Sequence, residues 1–144
     1  MNIIIRNSKL EEFNEVILLF KQLWPNKELN INDLKTVYDR GIESDTDKYI
    51  CAEDNGKVIG FCAFSLVNNF WQEGYIAYVY AMIVDESCRG KGIGRSLLEK
   101  AFDIAKLNKC KKIELDSGFP RVEAHKFYEQ IGFEKRAYLF SKDL

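Results

Sequence analysis

The segment VYAMIVDESCRGKGIGRSLLEKA, residues 79–101, joins an apolar run, a glycine-rich turn and a helical pattern without interruption. The β-branched and aromatic residues at its start predict a strand, and Ile93, Leu97 and Ala101 recur at helical spacing. Between them, three glycines alternate with three cations: Arg89, Gly90, Lys91, Gly92, Gly94 and Arg95. Backbone N–H groups converge in such a turn, and the helix N-terminus adds its dipole. The segment therefore predicts an anion site between a strand and a helix.

Two nucleotide-binding motifs do not fit this turn. A P-loop requires a lysine and then a serine or threonine after its last glycine, whereas Arg95 and Ser96 follow Gly94. A dinucleotide fingerprint requires a small residue three positions after its second glycine, and Leu97 occupies that place. A nucleotide-binding switch is therefore a disfavoured class of function.

The flanking sequence predicts an α/β fold with a mixed sheet, in the order β-α-α-β-β-β-α-β-α-β. Asn55-Gly56, between two β-rich runs, predicts a tight hairpin turn. The expected elements are strand 2–6, helices 8–24 and 30–42, a hairpin over 48–67, strand 74–86, helix 93–105, strand 110–117, helix 120–133 and strand 134–144. Because no linker or repeat interrupts this order, we expect a single domain over residues 1–144.

Composition and charge exclude several classes of partner. The formal net charge is -1, so no overall field attracts nucleic acid or an anionic membrane. No apolar run is long enough to cross a bilayer. The four cysteines form no C-x-x-C pair and His125 is the only histidine, so no metal site is expected. Free thiols and the absence of a signal peptide predict a cytoplasmic protein.

A second motif, EAHKFYEQIGF at residues 123–133, follows the glycine-rich segment. Together the two motifs resemble those of the GNAT family of N-acetyltransferases, and the order of elements matches that family along the chain. The resemblance implies an acetyl-CoA-dependent enzyme in which Arg-x-x-Gly-x-Gly, here Arg89, Gly92 and Gly94, binds the pyrophosphate of the cofactor.

The resemblance also implies a set of cofactor-binding residues. The backbone of Met82, Ile83 and Val84 is expected to pair with the pantetheine arm like an added strand. The pyrophosphate and its surroundings are assigned to Arg89, Gly90, Lys91, Gly92, Ile93, Gly94, Arg95, Ser96 and Phe127. A backbone N–H near Met82 or Ile83 is the expected donor to the developing oxyanion.

Direct transfer to an amine also requires proton movements. The resemblance implies that Tyr128 is the general acid for the departing thiolate. In the histone-modifying branch of the family a glutamate stands at the position of Ile76, so the resemblance supplies no general base for this chain. We take Glu73, acting through ordered water, as the candidate base, with Glu114 and Asp116 as weaker alternatives.

The expected acceptor is a small-molecule amine, with an aminoglycoside or a polyamine as the candidate. The stretch FKQLWP, residues 20–25, resembles some aminoglycoside-modifying members. Acidic residues of the second helix and the following loop are candidates for the rim of a binding site for a cationic acceptor: Asp33, Asp39, Glu43, Asp45 and Asp47. A protein or peptide amine, a non-catalytic acyl-CoA sensor and a homodimeric assembly stay open as alternatives.

Overall fold

The structure, a computed structural model, describes all 144 residues. The chain divides into two compact units, residues 1–114 and residues 115–144. Each unit is described by itself below. The single domain expected over residues 1–144 stays a prediction.

A five-stranded sheet organises the first unit, and its strands lie side by side in chain order. The strands are β1 (Ile3–Asn7), β2 (Asp47–Asp54), β3 (Lys57–Asn69), β4 (Gly74–Val84) and β5 (Lys112–Leu115). The helices of this unit are α1 (Phe13–Leu23), α2 (Ile31–Glu43) and α3 (Ile93–Leu107), whereas α4 (Val122–Gln130) belongs to the second unit. β1 to β4 are antiparallel, whereas α3 joins β4 to its neighbour β5, which is the connection of a parallel pair. This arrangement confirms the predicted α/β class and the element order as far as α4.

The predicted strand over residues 134–144 is wrong. This segment forms neither strand nor helix, and all eleven of its residues are exposed. Its aromatic and apolar residues favour an extended backbone. A strand nevertheless requires a partner with which to form a hydrogen-bonded ladder, and none pairs with this segment. Propensity alone could not supply that partner.

The predicted hairpin at Asn55-Gly56 is confirmed. Asp54 faces Lys57 across the end of the β2–β3 ladder, which leaves a two-residue turn. Asn55 has a φ of 49° and Gly56 a φ of 86°, the two positive angles that a type I′ turn requires. The turn fixes the register of the two strands and therefore the face on which each side chain lies.

Both faces of the sheet are covered within the first unit. Phe61 of β3 packs edge-on against Phe20 of α1, with ring centroids 5.5 Å apart. On the opposite face, a Cβ at Gly60 would lie 3.0 Å from the Leu97 side chain of α3. Burial on both sides explains why β3 and β4 are apolar at successive positions rather than alternate ones.

Helix α2 lies close to the sheet because Gly41 has no side chain. A Cβ at this position would overlap the phenol of Tyr49, whose hydroxyl donates to the carbonyl of Val37 at 3.2 Å. Burial raises the pKa of Tyr49. The Tyr49 phenol is therefore fixed beneath α2, facing the middle of β4. None of the helices combines the length and apolarity that crossing a membrane requires.

Candidate active site

Strand β4 has a full-length partner on one side only. β3 pairs with it from Gly74 to Val84, whereas β5 has four residues. The N–H of Lys111 donates to the carbonyl of Tyr75 at 2.8 Å, so β5 begins its pairing near the start of β4. Because each residue of β5 lies opposite one residue of β4, the four residues of β5 extend this pairing no further than about Val79. No strand pairs with residues 80–84 on the β5 side, and we call this side the open edge.

The ladder shows which backbone groups point toward the open edge. The N–H of Asp85 donates to the carbonyl of Ile59 on β3 at 2.8 Å. Alternate residues of a strand direct their polar groups to opposite neighbours, so Ile83 also points toward β3. The N–H and C=O groups of Met82 and Val84 therefore point toward the open edge. Of the three residues expected to pair with an extended ligand, Ile83 does not have its backbone groups free.

The turn after β4 is held by side chains that the sequence did not single out. The amide of Gln22, on α1, accepts the N–H of Glu86 at 2.9 Å and donates to Asp85 at 3.4 Å. Asp85 accepts the N–H and the hydroxyl of Ser87 at 2.9 and 2.7 Å. These bonds, that of the Ser87 hydroxyl above all, lower the pKa of Asp85. The start of the glycine-rich turn is therefore rigidly attached to α1.

Two glycines of the turn adopt a conformation that other residues avoid. Gly90 has a φ of 78° and Gly92 a φ of 79°, and a Cβ at either would meet nothing within 4 Å. Positive φ rather than close packing is therefore the local reason for glycine. Gly92 is the N-cap of α3, and no side chain caps it.

The N-terminus of α3 offers free donors to an anion. The first intrahelical bond runs from the N–H of Ser96 to the carbonyl of Gly92. The preceding N–H groups of Ile93, Gly94 and Arg95 have no intrahelical acceptor. No acidic side chain lies in the first turn. The side chain of Ile93 is buried, so this residue can serve an anion only through its backbone.

The cations of the turn are exposed and differ in their partners. The Nε of Arg89 donates to the carbonyl of Val84 at 3.1 Å, which holds the guanidinium over the turn. Arg95 pairs with Glu99 at 2.9 Å, an exposed pair that contributes little to stability. The hydroxyl of Ser96 donates to the Gly92 carbonyl at 3.1 Å. Ser96 would have to rotate before its hydroxyl could donate to a ligand.

In the second unit, Tyr128 is fixed by the end of α4. The N–H of Phe133 donates to the carbonyl of Tyr128 and that of Gly132 to the carbonyl of Glu129, at 3.0 and 3.1 Å. Gly132 has a φ of 104°, which completes a Schellman motif. Gly132 is therefore the C′ residue of α4. The rings of Phe127 and Phe133 lie 5.4 and 5.8 Å from that of Tyr128, and Tyr128 is buried.

The carboxylates considered for the base lie in different places. Glu73 is exposed in the β3–β4 turn, with a φ of 57°. It lies nine positions before Met82, roughly 30 Å along a strand, so it reaches the open edge by no direct hydrogen bond. Ile76, at the position of the expected carboxylate, is buried. Glu114 lies on β5, and Asp116 follows that strand.

The histidine, the cysteines and Trp24 take part in local bonds or packing. The Nε2–H of His125 donates to the Gly118 carbonyl, 2.9 Å away, within the same segment of the chain. All four cysteines are free, and burial raises the pKa of Cys62 to about 12. Trp24 packs against Phe20 with ring centroids 5.3 Å apart. No three histidine, cysteine, aspartate or glutamate side chains converge on a common metal position.

A contact between β2 and β4 was not predicted from the sequence. The hydroxyl of Tyr80 donates to Asp47 at 2.6 Å and lies 3.3 Å from the hydroxyl of Tyr49. Burial and the bond to Asp47 raise the pKa of Tyr80. Only the fold brings this tyrosine of β4 and this aspartate of β2 together.

Comparisons with known proteins identify the family and the fold of this chain. The Acetyltransferase (GNAT) family model matches residues 13–133. An uncharacterised N-acetyltransferase of Methanocaldococcus jannaschii is 33% identical over 97 residues, which are 66% of this chain and 42% of that protein. The aminoalkylphosphonate N-acetyltransferase of Salmonella typhimurium is 25% identical over 140 residues, which are 97% of this chain and 90% of the relative.

Among solved structures, AAC(6′)-Iy in complex with the bisubstrate analogue CoA-S-monomethyl-acetylneamine is similar. The TM-score is 0.84 at 20% identity, and the alignment covers all of both chains, 100% of each. At this level of identity the likeness establishes the fold.

Gly92→Ala should destabilise the protein by about 1–2 kcal/mol, because alanine at a φ of 79° is strained although the space beside it is open. Urea unfolding of the variant and the wild type measures this loss. Lys91→Ala, one position earlier and exposed, is the matched control and should stay within about 0.5 kcal/mol. Equal stability of Gly92→Ala and wild type would contradict the argument from φ.

Proposed function

Because this chain belongs to the GNAT acetyltransferase family, we propose that it transfers the acetyl group of acetyl-CoA directly to the amine of a small molecule. The observation that carries the proposal is the adjacency of two sets of free backbone groups. The uncapped N-terminus of α3 follows the open edge of β4 after a turn of eight residues, 85–92. One set suits a charged phosphate group, and the other suits an extended amide chain.

The glycine-rich turn is proposed to hold the pyrophosphate. The N–H groups of Ile93, Gly94 and Arg95 point out of the helix terminus. Arg89 and Lys91 supply positive charge, and Gly90 and Gly92 keep the backbone accessible at positive φ. Ser96 and the side chain of Arg95 join this set if they leave their partners Gly92 and Glu99.

The open edge is proposed to hold the pantetheine arm. Met82 and Val84 direct their backbone groups toward it, although the Val84 carbonyl is already bonded to Arg89. The N–H of Met82 is therefore the better candidate for the donor to the acetyl oxygen, and Ile83 supports the strand from the core. Acetyl-CoA itself supplies an acetyl group activated as a thioester.

Tyr128 is proposed as the general acid, and Phe127 is proposed as a further cofactor-binding residue. The support is a buried phenol on a helix end fixed by a Schellman motif, within the family motif at residues 123–133. A rigid donor loses little entropy when it protonates a leaving group. The position of Glu73 at the far end of β4 leaves it outside the proposed machinery.

A small-molecule acceptor is favoured by the Salmonella relative, whose substrate is an aminoalkylphosphonate by name and whose alignment covers nearly all of this chain. The alternative of a non-catalytic acyl-CoA sensor has one observation in its favour, since buried Ile76 stands where other members carry a carboxylate. Turnover separates these two functions.

The experiment that tests the proposal measures release of free CoA thiol from acetyl-CoA with a panel of amines. The panel contains aminoglycosides, polyamines, amino acids, aminoalkylphosphonates and short peptides, and acetyl-CoA binding is measured by calorimetry in parallel. We expect binding, and turnover with one small-molecule class. Turnover on peptides alone would overturn the acceptor class, and binding without any turnover would favour the sensor.

Arg89→Ala should weaken acetyl-CoA binding by about tenfold, because a charge-assisted contact to the pyrophosphate is lost. Calorimetric titration with acetyl-CoA measures the change. Arg40→Ala removes an exposed arginine of α2 and should leave the affinity unaltered. If the two variants bound acetyl-CoA equally well, the assignment of the pyrophosphate to this turn would be wrong.

Tyr128→Phe should lower kcat by about 100-fold or more while acetyl-CoA affinity is unchanged, because a general acid acts on the chemical step. The phenylalanine keeps the ring contacts with Phe127 and Phe133, so the fold is preserved. Tyr138→Phe, at an exposed tyrosine, serves as the control. A Tyr128→Phe enzyme with wild-type kcat would remove Tyr128 from the mechanism.

A further inference from the structure

The contact between Asp47 and Tyr80 spans three strands of the sheet. Asp47 begins β2 and faces Ser65 on β3, which in turn faces Tyr78 on β4. These three residues form one row across the sheet. Tyr80 reaches over β3 from the next position on the same face, and its hydroxyl donates to Asp47 at 2.6 Å.

A β-bulge places Tyr80 in this position. Ala63 faces Ala81 and the next residue, Phe64, faces Val79, so Tyr80 is the extra residue of β4. A bulge turns two successive side chains to one face. Tyr80 and Ala81 accordingly both lie on the face that carries Tyr49. The bulge directly precedes Met82 and the open edge.

The Asp47 carboxylate has no basic partner. The ion pairs of the structure join other residues, and no lysine or arginine pairs with Asp47. Two tyrosines lie beside it, because the Tyr80 hydroxyl donates to Asp47 at 2.6 Å and lies 3.3 Å from the Tyr49 hydroxyl. Tyr80 is 37% exposed, so solvent reaches the site. A carboxylate beside tyrosine rings is an arrangement that binds ammonium groups.

The other acidic residues near this face are arranged differently. Asp39 pairs with Lys35 at 2.6 Å, and Asp33 lies in the exposed first turn of α2. Glu43 and Asp45 are exposed and have no bond to β4. Asp47 is thus the acidic residue of this group that the fold connects to the strand of the proposed active site.

Distance decides which part of an acceptor Asp47 can bind. β2 and β4 are separated by two strand spacings, about 10 Å. An amine that attacks an acetyl group held at the backbone of β4 is too far from Asp47 to touch it. A carboxylate at this distance suits a second charged group of the same molecule.

We propose that Asp47, positioned by the Tyr80 hydroxyl on the face of the sheet that carries Tyr49, Tyr78 and Tyr80, binds a second ammonium group of the acceptor. This inference rests on the proposed function and makes it more specific. The acceptor is a molecule with two separated positive charges, one amine being acetylated at β4 while the other is bound at Asp47.

The probes are 1,8-diaminooctane and 1-aminooctane, which differ in the terminal amine at the far end of the chain. The wild-type enzyme should show a kcat/KM at least tenfold higher for the diamine. Asp47→Asn should raise the KM for the diamine about 10- to 100-fold with little change in kcat, because one charged hydrogen bond is lost. The kcat/KM for the monoamine should stay unchanged.

Two further variants make the test specific. Asp45→Asn removes a neighbouring exposed carboxylate and should leave the diamine preference intact. Tyr80→Phe keeps the ring but removes the bond to Asp47, so it should reduce the preference by less than Asp47→Asn does. Equal use of the two probes by the wild type, or an equal preference in wild type and Asp47→Asn, would overturn the inference.

Calorimetry with the CoA-bound protein separates this inference from the proposed function. If no amine in any assay is acetylated, the proposed function fails. Binding of 1,8-diaminooctane to the wild type that is at least tenfold weaker in Asp47→Asn would still support the Asp47 site. No binding of the diamine to the wild type would overturn it, whatever the outcome of the turnover assays.

Discussion

Backbone N–H and C=O groups require partners, and β4 satisfies this requirement fully on one side only. β3 pairs with its whole length, whereas β5 ends after four residues. The groups of Met82 and Val84 are left facing the open edge, and a few residues later the first N–H groups of α3 are also without intrahelical acceptors. The candidate site consists of these groups, of which the Val84 carbonyl already accepts a hydrogen bond from Arg89. Other features of the first unit keep these groups in place. They include the hydrogen bonds of the Gln22 amide to Asp85 and Glu86 and the two glycines at positive φ.

The contacts among Asp47, Tyr49 and Tyr80, on the face of the sheet that α2 covers, depend on the same strand β4. The bulge at Tyr80 breaks the alternation of β4 immediately before the open edge. It sends a tyrosine across β3 to Asp47, while Gly41 allows α2 to approach and fix Tyr49 beside it. One irregularity in one strand thus connects the cofactor side of the proposed site with a polar, aromatic cluster that suits a charged acceptor.

Some features were predictable because their causes are local. Asn55-Gly56 makes a primed turn and Gly132 completes a Schellman motif, since each requires positive φ at one or two residues. The glycine-rich turn was located for the same reason. The strand expected over residues 134–144 was wrong, because a strand depends on a neighbour that sequence propensity does not provide. Glu73 was chosen from its position in the sequence, and the strand geometry places it roughly 30 Å from Met82.

The sequence by itself determined the family, the α/β class, and the glycine-rich turn before α3, because motif spacing and backbone angles act over a few residues. The tertiary structure alone decided which backbone groups of β4 are free, how Gln22 holds the turn, and that Asp47 meets Tyr80. These depend on strand register and on a bulge. A shift of one residue in register reverses the direction of every side chain and backbone group that follows, so residues 33 positions apart come together only when the whole sheet is formed.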